Sequence, residues 1–318
     1  MLFARERPGT AVLIHPGDYG EHFGVDGLYG TADNPIWIGG VPGEARPVLK
    51  GIHIARGAYV IFRDMEFRDA KDAGGTGTAV HVHDGGDTDF PTKTHHFVFR
   101  NLYLRDNQFQ HFKFAGIDDV RIYGCRTERD QRGGSGGINF VGCHHLTVTD
   151  SIFRDMKGFS LQFKGGSYDA DVYGNRFEGC GGPGINIGQA TGEQFFRPYL
   201  TKDRTMYEAR DIRIYGNAFT GGTAAFAMTG CTDCSFTGNT VENPSLYLFR
   251  VLNMDMDDEL KLANRGMAHG NTISGNTFVF GELMEAFNVG EGTQIETFKI
   301  ENNVFNGVLH ESYKKPQL

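Results

Sequence analysis

The sequence predicts an all-β, single-domain parallel β-helix, and three observations carry the prediction. The first is an internal repeat: "VYGNRFEGC", "IYGNAFTGG", "FTGNTVENP", "ISGNTFVFG" and "IENNVFNGV" each join two alternating apolar positions to an asparagine and a further apolar residue. The second is that each copy leads into a turn and another short alternating strand, such as "GGINFVG", "FSLQFKGG", "PGINIGQ" or "AAFAMTG". The third is composition, with 45 glycines, 12% aromatic and 22% charged residues in 318, which describes a folded chain rich in turns and strands.

Taken in order, residues 1–50 read as an N-terminal cap and first coils, 51–308 as regular coils and 309–318 as a tail. "GIHIARG" opens the regular coils with His53 between Ile52 and Ile54. The centres of the later strands are His81, Lys113, Asn139, Gln162, Asn186, Ala227, Arg250 and Asn288. Where no loop intervenes they recur at ~23 to 26 residues, a period typical of solenoid coils. Their apolar neighbours, such as Phe112 and Phe114 or Leu161 and Phe163, point inward by the two-residue period of a strand, and the centres point outward. Asn101, Asn175, Asn217, Asn239, Asn276 and Asn303 are expected to stack at one corner, with Cys125 and Ser151 taking the column in two coils. Three long loops, 84–96, 190–211 and 254–270, all leave at the end of the outward-decorated strand and should rise along one edge. Only "MDMDDELKLANRGM", in the third loop, has a helical period.

Composition also excludes partners. A net charge of -8 argues against nucleic acid held by general electrostatics. No apolar run approaches the ~20 residues that span a bilayer. "MLFARERPGTAVLI" has neither an apolar core nor a small-residue cleavage site, so the expectation is a cytoplasmic protein, or a secreted or periplasmic one whose leader was removed. Five cysteines, including the lone CxxC of Cys231 and Cys234, read as reduced structural thiols. A solenoid end can pair with a second copy, which makes a homodimer the protein partner to look for.

The outward face carries His53, His81, Lys113, Asn139, Gln162, Asn186 and Arg250 in one column and His83 and Lys164 in a parallel one. Amides, imidazoles and cations in register suit a linear hydroxyl-rich or anionic polymer, and these residues are candidate substrate contacts. Phe195, Phe196 and Tyr199, with Arg197, offer aromatic platforms and a cation from the second loop. Asp84, Asp87 and Asp89 supply oxygen ligands that suit Ca²⁺, although a solvated acidic loop explains them as well. His81 and His83, with His53 one coil away, have a spacing that can chelate a metal, while sugar contacts explain the same residues.

The repeat with its outward lysine resembles the right-handed parallel β-helix superfamily of pectate lyases, nearest the chondroitinase B and alginate lyase group. "GTADNPIWIGGVPGEARPVLKGIHIARGAYVIFRDMEFRD" is similar to the opening coils of that group, and "FSLQFKGGSYDADVYGNRF" to its catalytic-lysine coil. A signature running from Lys164 to Pro198 also resembles that of related bacterial β-helix proteins. The resemblance implies β-elimination or epimerisation on a uronic-acid polysaccharide, with Lys164 as base and His83, Arg197 or Arg250 supporting it. The group's calcium ligands before the lysine coil are unmatched, since residues 157 and 159 are Lys157 and Phe159. The rivals are a non-catalytic polysaccharide-binding solenoid and a glycoside hydrolase using loop carboxylates such as Asp84, Asp169 or Glu193. The outward strands lack the paired carboxylates that hydrolysis would use.

Overall fold

The computed structural model of the chain describes residues 7–71, 77–87, 91–134, 136–200, 207–253, 267–283 and 285–309. Among them every pairing of named strands is parallel, in a 21-stranded and a 10-stranded sheet. Each coil contributes one strand to each of three columns. The coil at Leu161–Lys164, Ser167–Tyr173 and Arg176–Glu178 is representative. The first two columns are continuous in the larger sheet, because early strands such as Gly51–Arg63 run through the corner between them.

Stacking follows from the inward residues. Phe114, Phe140 and Phe163 superpose with ring centroids 5.2 Å apart at each step, and Phe153, Phe177 and Phe219 do so at 4.8 and 4.6 Å in the third column. These spacings match the ~4.8 Å between hydrogen-bonded strands, so identical side chains on successive coils meet face to face. All five cysteines are free and buried in this packing.

The corner between the second and third columns is an amide ladder. The backbone N–H groups of Ser151, Asn175, Asn217, Asn239 and Asn276 each donate to the Oδ1 of the next asparagine, at 2.9 to 3.0 Å, ending on Asn303. Cys125 N–H donates in turn to Ser151 Oγ. Asn101 stands one place off this ladder. Strand register aligns Arg100 with Tyr123, so the ladder position in that coil is Leu102. Asn101 instead shares the preceding, left-handed column, with φ 50°, alongside Asp64, Gly124, Asp150 and Gly174. Asparagine, aspartate and glycine tolerate that backbone best.

The loops after the first-column strands leave at one corner, as expected: 84–94 follows Val80–His83, 189–208 follows Pro183–Gly188, and 253–271 follows Phe249–Leu252. The segment with helical period lies almost wholly outside the described residues, as do the tail from residue 310 and Asp89. Among the described residues the only helical elements are two single turns, Glu193–Phe195 and Ile295–Thr297.

Candidate functional site

Register sets the floor of the site. His53, His81, Lys113, Asn139, Gln162 and Asn186 are partners on successive first-column strands. The neighbouring outward positions read Ala55, His83, Ala115, Val141 and Lys164. His83 and Lys164 therefore stand three strand steps apart, about 14 Å, with only Ala115 and Val141 between them. The small side chains leave a trough, and a pocket of about 500 Å³ fills it, lined from the strands by His53, His81, His83, Lys113, Asn139 and Lys164.

The wall is supplied by the two loops. Arg197 Nε and Nη2 donate to Asp84 Oδ2 at 3.0 and 2.9 Å, an ion pair in which Asp84 is buried and Arg197 nearly so. Arg197 Nη1 donates to the carbonyls of Gln194 and Phe196. The pair lies over the glycine corner: a Cβ on Gly116 would come within 2.2 Å of Asp84 Oδ2, and one on Gly142 within 2.8 Å of Arg197 Cβ. Both glycines have φ above 60°, so backbone and space make the same demand.

This arrangement changes what several candidate residues can do. Asp84 spends Oδ2 on Arg197 and Oδ1 on the N–H of Gly86, so it is not a free calcium ligand. Asp89 lies outside the described residues, and among those described no group of three or more histidine, cysteine or acidic residues is placed to hold a metal ion. Phe196 is fully buried and anchors the loop, whereas Phe195 is exposed at the pocket rim. Tyr199 is covered by the Arg197 guanidinium, 4.2 Å from its ring centre. Asn139, Gln162 and Asn186 take their outward register but are buried. Gln162 Nε2 donates to Gln189 Oε1, and Asn186 Nδ2 to the Gly188 carbonyl. Arg250 lies three strands beyond Gln162, bonded to Asn288 and outside the pocket.

The three histidines form a neutral cluster. The Gly85 N–H donates to His83 Nδ1, so the His83 proton sits on Nε2 and is donated to His53 Nε2, 2.7 Å away. That contact holds the two nitrogens on each other and not around a shared ion. His81 stacks on His53 at 4.6 Å, and burial first, then the neighbouring histidines and Lys113, push it down to about 3.

Two lysines dominate the electrostatics. Among the described residues neither ammonium has a hydrogen-bond or ion-pair partner. Burial holds Lys113 below its ordinary value. Burial also lowers Lys164; the carboxyl of Glu208 opposes that shift and Lys113 adds to it. Glu208 is buried under the loop, where its carboxyl accepts from the N–H of Gly165, from the Thr191 N–H and from the Thr191 hydroxyl, at 2.7 to 2.9 Å. Burial outweighs these donors and pushes it up to about 7.

Glu208, Gln189 and the pair His144 and Asp118 are absent from the sequence-based candidates. A signal for Glu208 exists in the repeat. It occupies the corner position that is Gly116, Gly142, Gly166 and Gly230 in other coils, an acid where the fold asks for glycine.

Against known proteins, a family model described as a right-handed beta helix region matches residues 50–196. No curated protein sequence matches the chain. Among solved structures, a GH136 lacto-N-biosidase from Eubacterium ramulus superposes with TM-score 0.61 at 14% identity over 95% of this chain, which spans 62% of that one. An alginate lyase from a Paenibacillus species gives TM-score 0.59 at 14% identity, over 95% of this chain and 91% of that one. The catalytic domain of a GH87 alpha-1,3-glucanase gives 0.52 at 13% identity, over 92% and 64%. Identities this low speak to architecture alone. With its parallel columns and this family match, the chain is a right-handed parallel β-helix.

Proposed function

We propose that the pocket binds an acidic, uronate-containing polysaccharide or oligosaccharide and acts on it by β-elimination, with Lys164 as the base. The observation that carries the reading is a pair of half-buried lysines, Lys113 and Lys164, without a hydrogen-bond or ion-pair partner among the described residues, in one pocket whose other strand groups are neutral imidazoles and an amide. A carboxylate ligand would offset the burial of both cations, and a lysine with lowered affinity for its proton can take one from carbon.

In this scheme Lys164 Nζ, unprotonated, removes the proton from the carbon beside the uronate carboxyl. The electron pair moves into the carboxyl as an enolate, which the Lys113 ammonium stabilises. The pair then returns to form the ring double bond as the bond to the glycosidic oxygen breaks, and the departing oxygen takes a proton from solvent. Reprotonation of the enolate from the opposite face, with that bond intact, would make the same site an epimerase. Arg197, taken up by Asp84, shapes the wall. His53, His81, His83, Asn139 and the exposed Phe195 ring contact sugar hydroxyls and faces. This mechanism uses no Ca²⁺.

An alginate lyase and two glycosidases share this architecture, so architecture does not choose between elimination and hydrolysis. Hydrolysis normally uses a pair of carboxyls. Among the described residues the pocket is lined by one, Asp84, which is ion-paired. Incubation with alginate, pectate, chondroitin sulfate, hyaluronan and heparin tests the proposal. New unsaturated-uronate absorbance on one of them is the expected result. New reducing ends without absorbance would mean hydrolysis, and binding without either would mean a non-catalytic solenoid.

A further inference from the structure

The charges lining the pocket limit how many carboxylates it accepts. Apart from histidine, the basic side chains among the described lining residues are Lys113, Lys164 and Arg197. Arg197 is engaged at both ends. Its guanidinium is ion-paired to Asp84, and its backbone carbonyl lies 3.0 Å from Nε2 of the buried His144, whose Nδ1 lies 2.6 Å from Asp118 Oδ1. Lys164 is neutral at the moment it takes a proton in the proposed reaction. Lys113 is then the one cation left for a ligand.

The opposite end of the pocket is uncharged, and hydrogen bonding makes it so. His83 Nδ1 accepts from the Gly85 N–H, and His53 Nε2 accepts from His83, so each ring commits a lone pair and neither is an imidazolium. His81 stacks on His53, and its buried Nδ1 has no hydrogen-bond partner among the described residues, a place where an added proton would be unsolvated. Arg56, whose stem lies beside Gly85, is paired with Asp26.

In an extended polysaccharide one sugar advances about as far as one coil, ~4.8 Å. Strand register puts His53, His81 and Lys113 on three successive coils and Lys164 two coils further. A chain laid along the solenoid with its reacting carboxylate at Lys113 therefore sets the neighbouring sugar over His81 and His53. From this arrangement we infer that the site accepts a single carboxylate, and that its substrate is a polymer in which the uronate alternates with an uncharged, unsulfated sugar. His53, His81 and His83 are then specificity-determining residues. Their ring nitrogens suit hydroxyls, whereas a second carboxylate or a sulfate there would be desolvated with no cation to offset it.

The inference rests on the proposed function, and matched polymers of one backbone test it apart from that function. Pectate is compared with partly carboxyl-reduced pectate, alginate with partly carboxyl-reduced alginate, and chondroitin sulfate with desulfated chondroitin. Unsaturated-uronate absorbance gives kcat/KM, and titration calorimetry gives Kd, both at about 0.15 M salt to screen distant charges. For any backbone that is cut or bound, the charge-depleted form is expected to show kcat/KM about tenfold higher and Kd about tenfold lower. General repulsion by a chain of net charge -8 would favour the same forms, so the comparison is repeated with Ala55→Lys and His83→Lys. Ala55 is in register with His83, and each substitution sets a cation at the histidine end; the preference is expected to vanish or reverse. Ala55→Lys removes no histidine and carries this arm if His83→Lys does not fold. A wild type that treats the fully charged forms as well or better, or a preference unchanged by the added lysine, would overturn the inference. Absence of absorbance from every polymer would sink the proposed reaction while the Kd ratios still decide the charge rule, and absence of binding to any would sink both.

Discussion

At the scale of single residues, Lys164 carries the chemistry and Lys113 the electrostatics. Lys164→Ala is expected to lower kcat by roughly 10²- to 10⁴-fold, the usual range for losing a general base. Lys164→Arg should be nearly as inactive, because a guanidinium keeps the charge and cannot give up its proton. Lys113→Met should raise KM and lower kcat together, since the enolate and the bound carboxylate both lose their cation. The pH dependence has a definite sign. The base must be unprotonated and Lys113 protonated, so the rate rises with pH as Lys164 loses its proton and falls as Lys113 loses its own, and because burial lowers both lysines the fall should begin below the ordinary lysine value of 10.5. A rise that continues beyond that value would contradict the assignment. Lys164 was legible in the sequence because alternation with Leu161 and Phe163 fixes its side. The engagement of Arg197 by Asp84 was not, since 113 residues separate the partners and no period relates a loop to a loop. His144 was hidden for the same reason.

At the scale of elements, corners decide stability. Asn217 lies mid-ladder: Nδ2 donates to the Val172 and Tyr215 carbonyls and to Asn239, while Oδ1 accepts from the Asn175 N–H and side chain. Asn217→Ala leaves several buried groups unpaired and should cost about 3 kcal/mol in denaturant unfolding. Loss below about 0.5 kcal/mol would mean that water replaces the ladder. The ladder was legible because asparagine recurs with the coil period. The offset of Asn101 was not, because both adjacent corner positions accept asparagine and residue type alone does not choose between them. The wall corner gives another test. Gly142→Ala puts a Cβ against the Arg197 stem and strains a left-handed backbone. Protease should then cut the 190–200 segment faster while the coils remain folded; an unchanged cutting rate would mean the loop does not depend on the glycine corner.

At the scale of the whole molecule, the solenoid puts side chains from five successive first-column strands, and from loops far apart in sequence, into one pocket. The core holds that spacing. Phe140 stacks on both Phe114 and Phe163, and Phe140→Ala should cost about 3 to 5 kcal/mol. A smaller cost would show that the column collapses around the gap. Architecture was nearly fully legible, since a repeat dictates stacking and stacking dictates which residues share a face. The engagement of Gln162 and Asn186 by Gln189 and Gly188 was not, because it depends on how the chain folds back after the strand. Gln162 and Asn186 therefore belong more to the floor's support than to a ligand surface, whereas Asn139 lines the pocket. The central claim, that this pocket removes a proton from a uronate with Lys164, is tested most directly by following unsaturated-uronate absorbance on the five acidic polysaccharides with wild-type protein and Lys164→Ala side by side. The account predicts absorbance on at least one polymer from the wild type and none from the variant. Equal absorbance from both, or a wild type that binds a polymer without producing any, would contradict it.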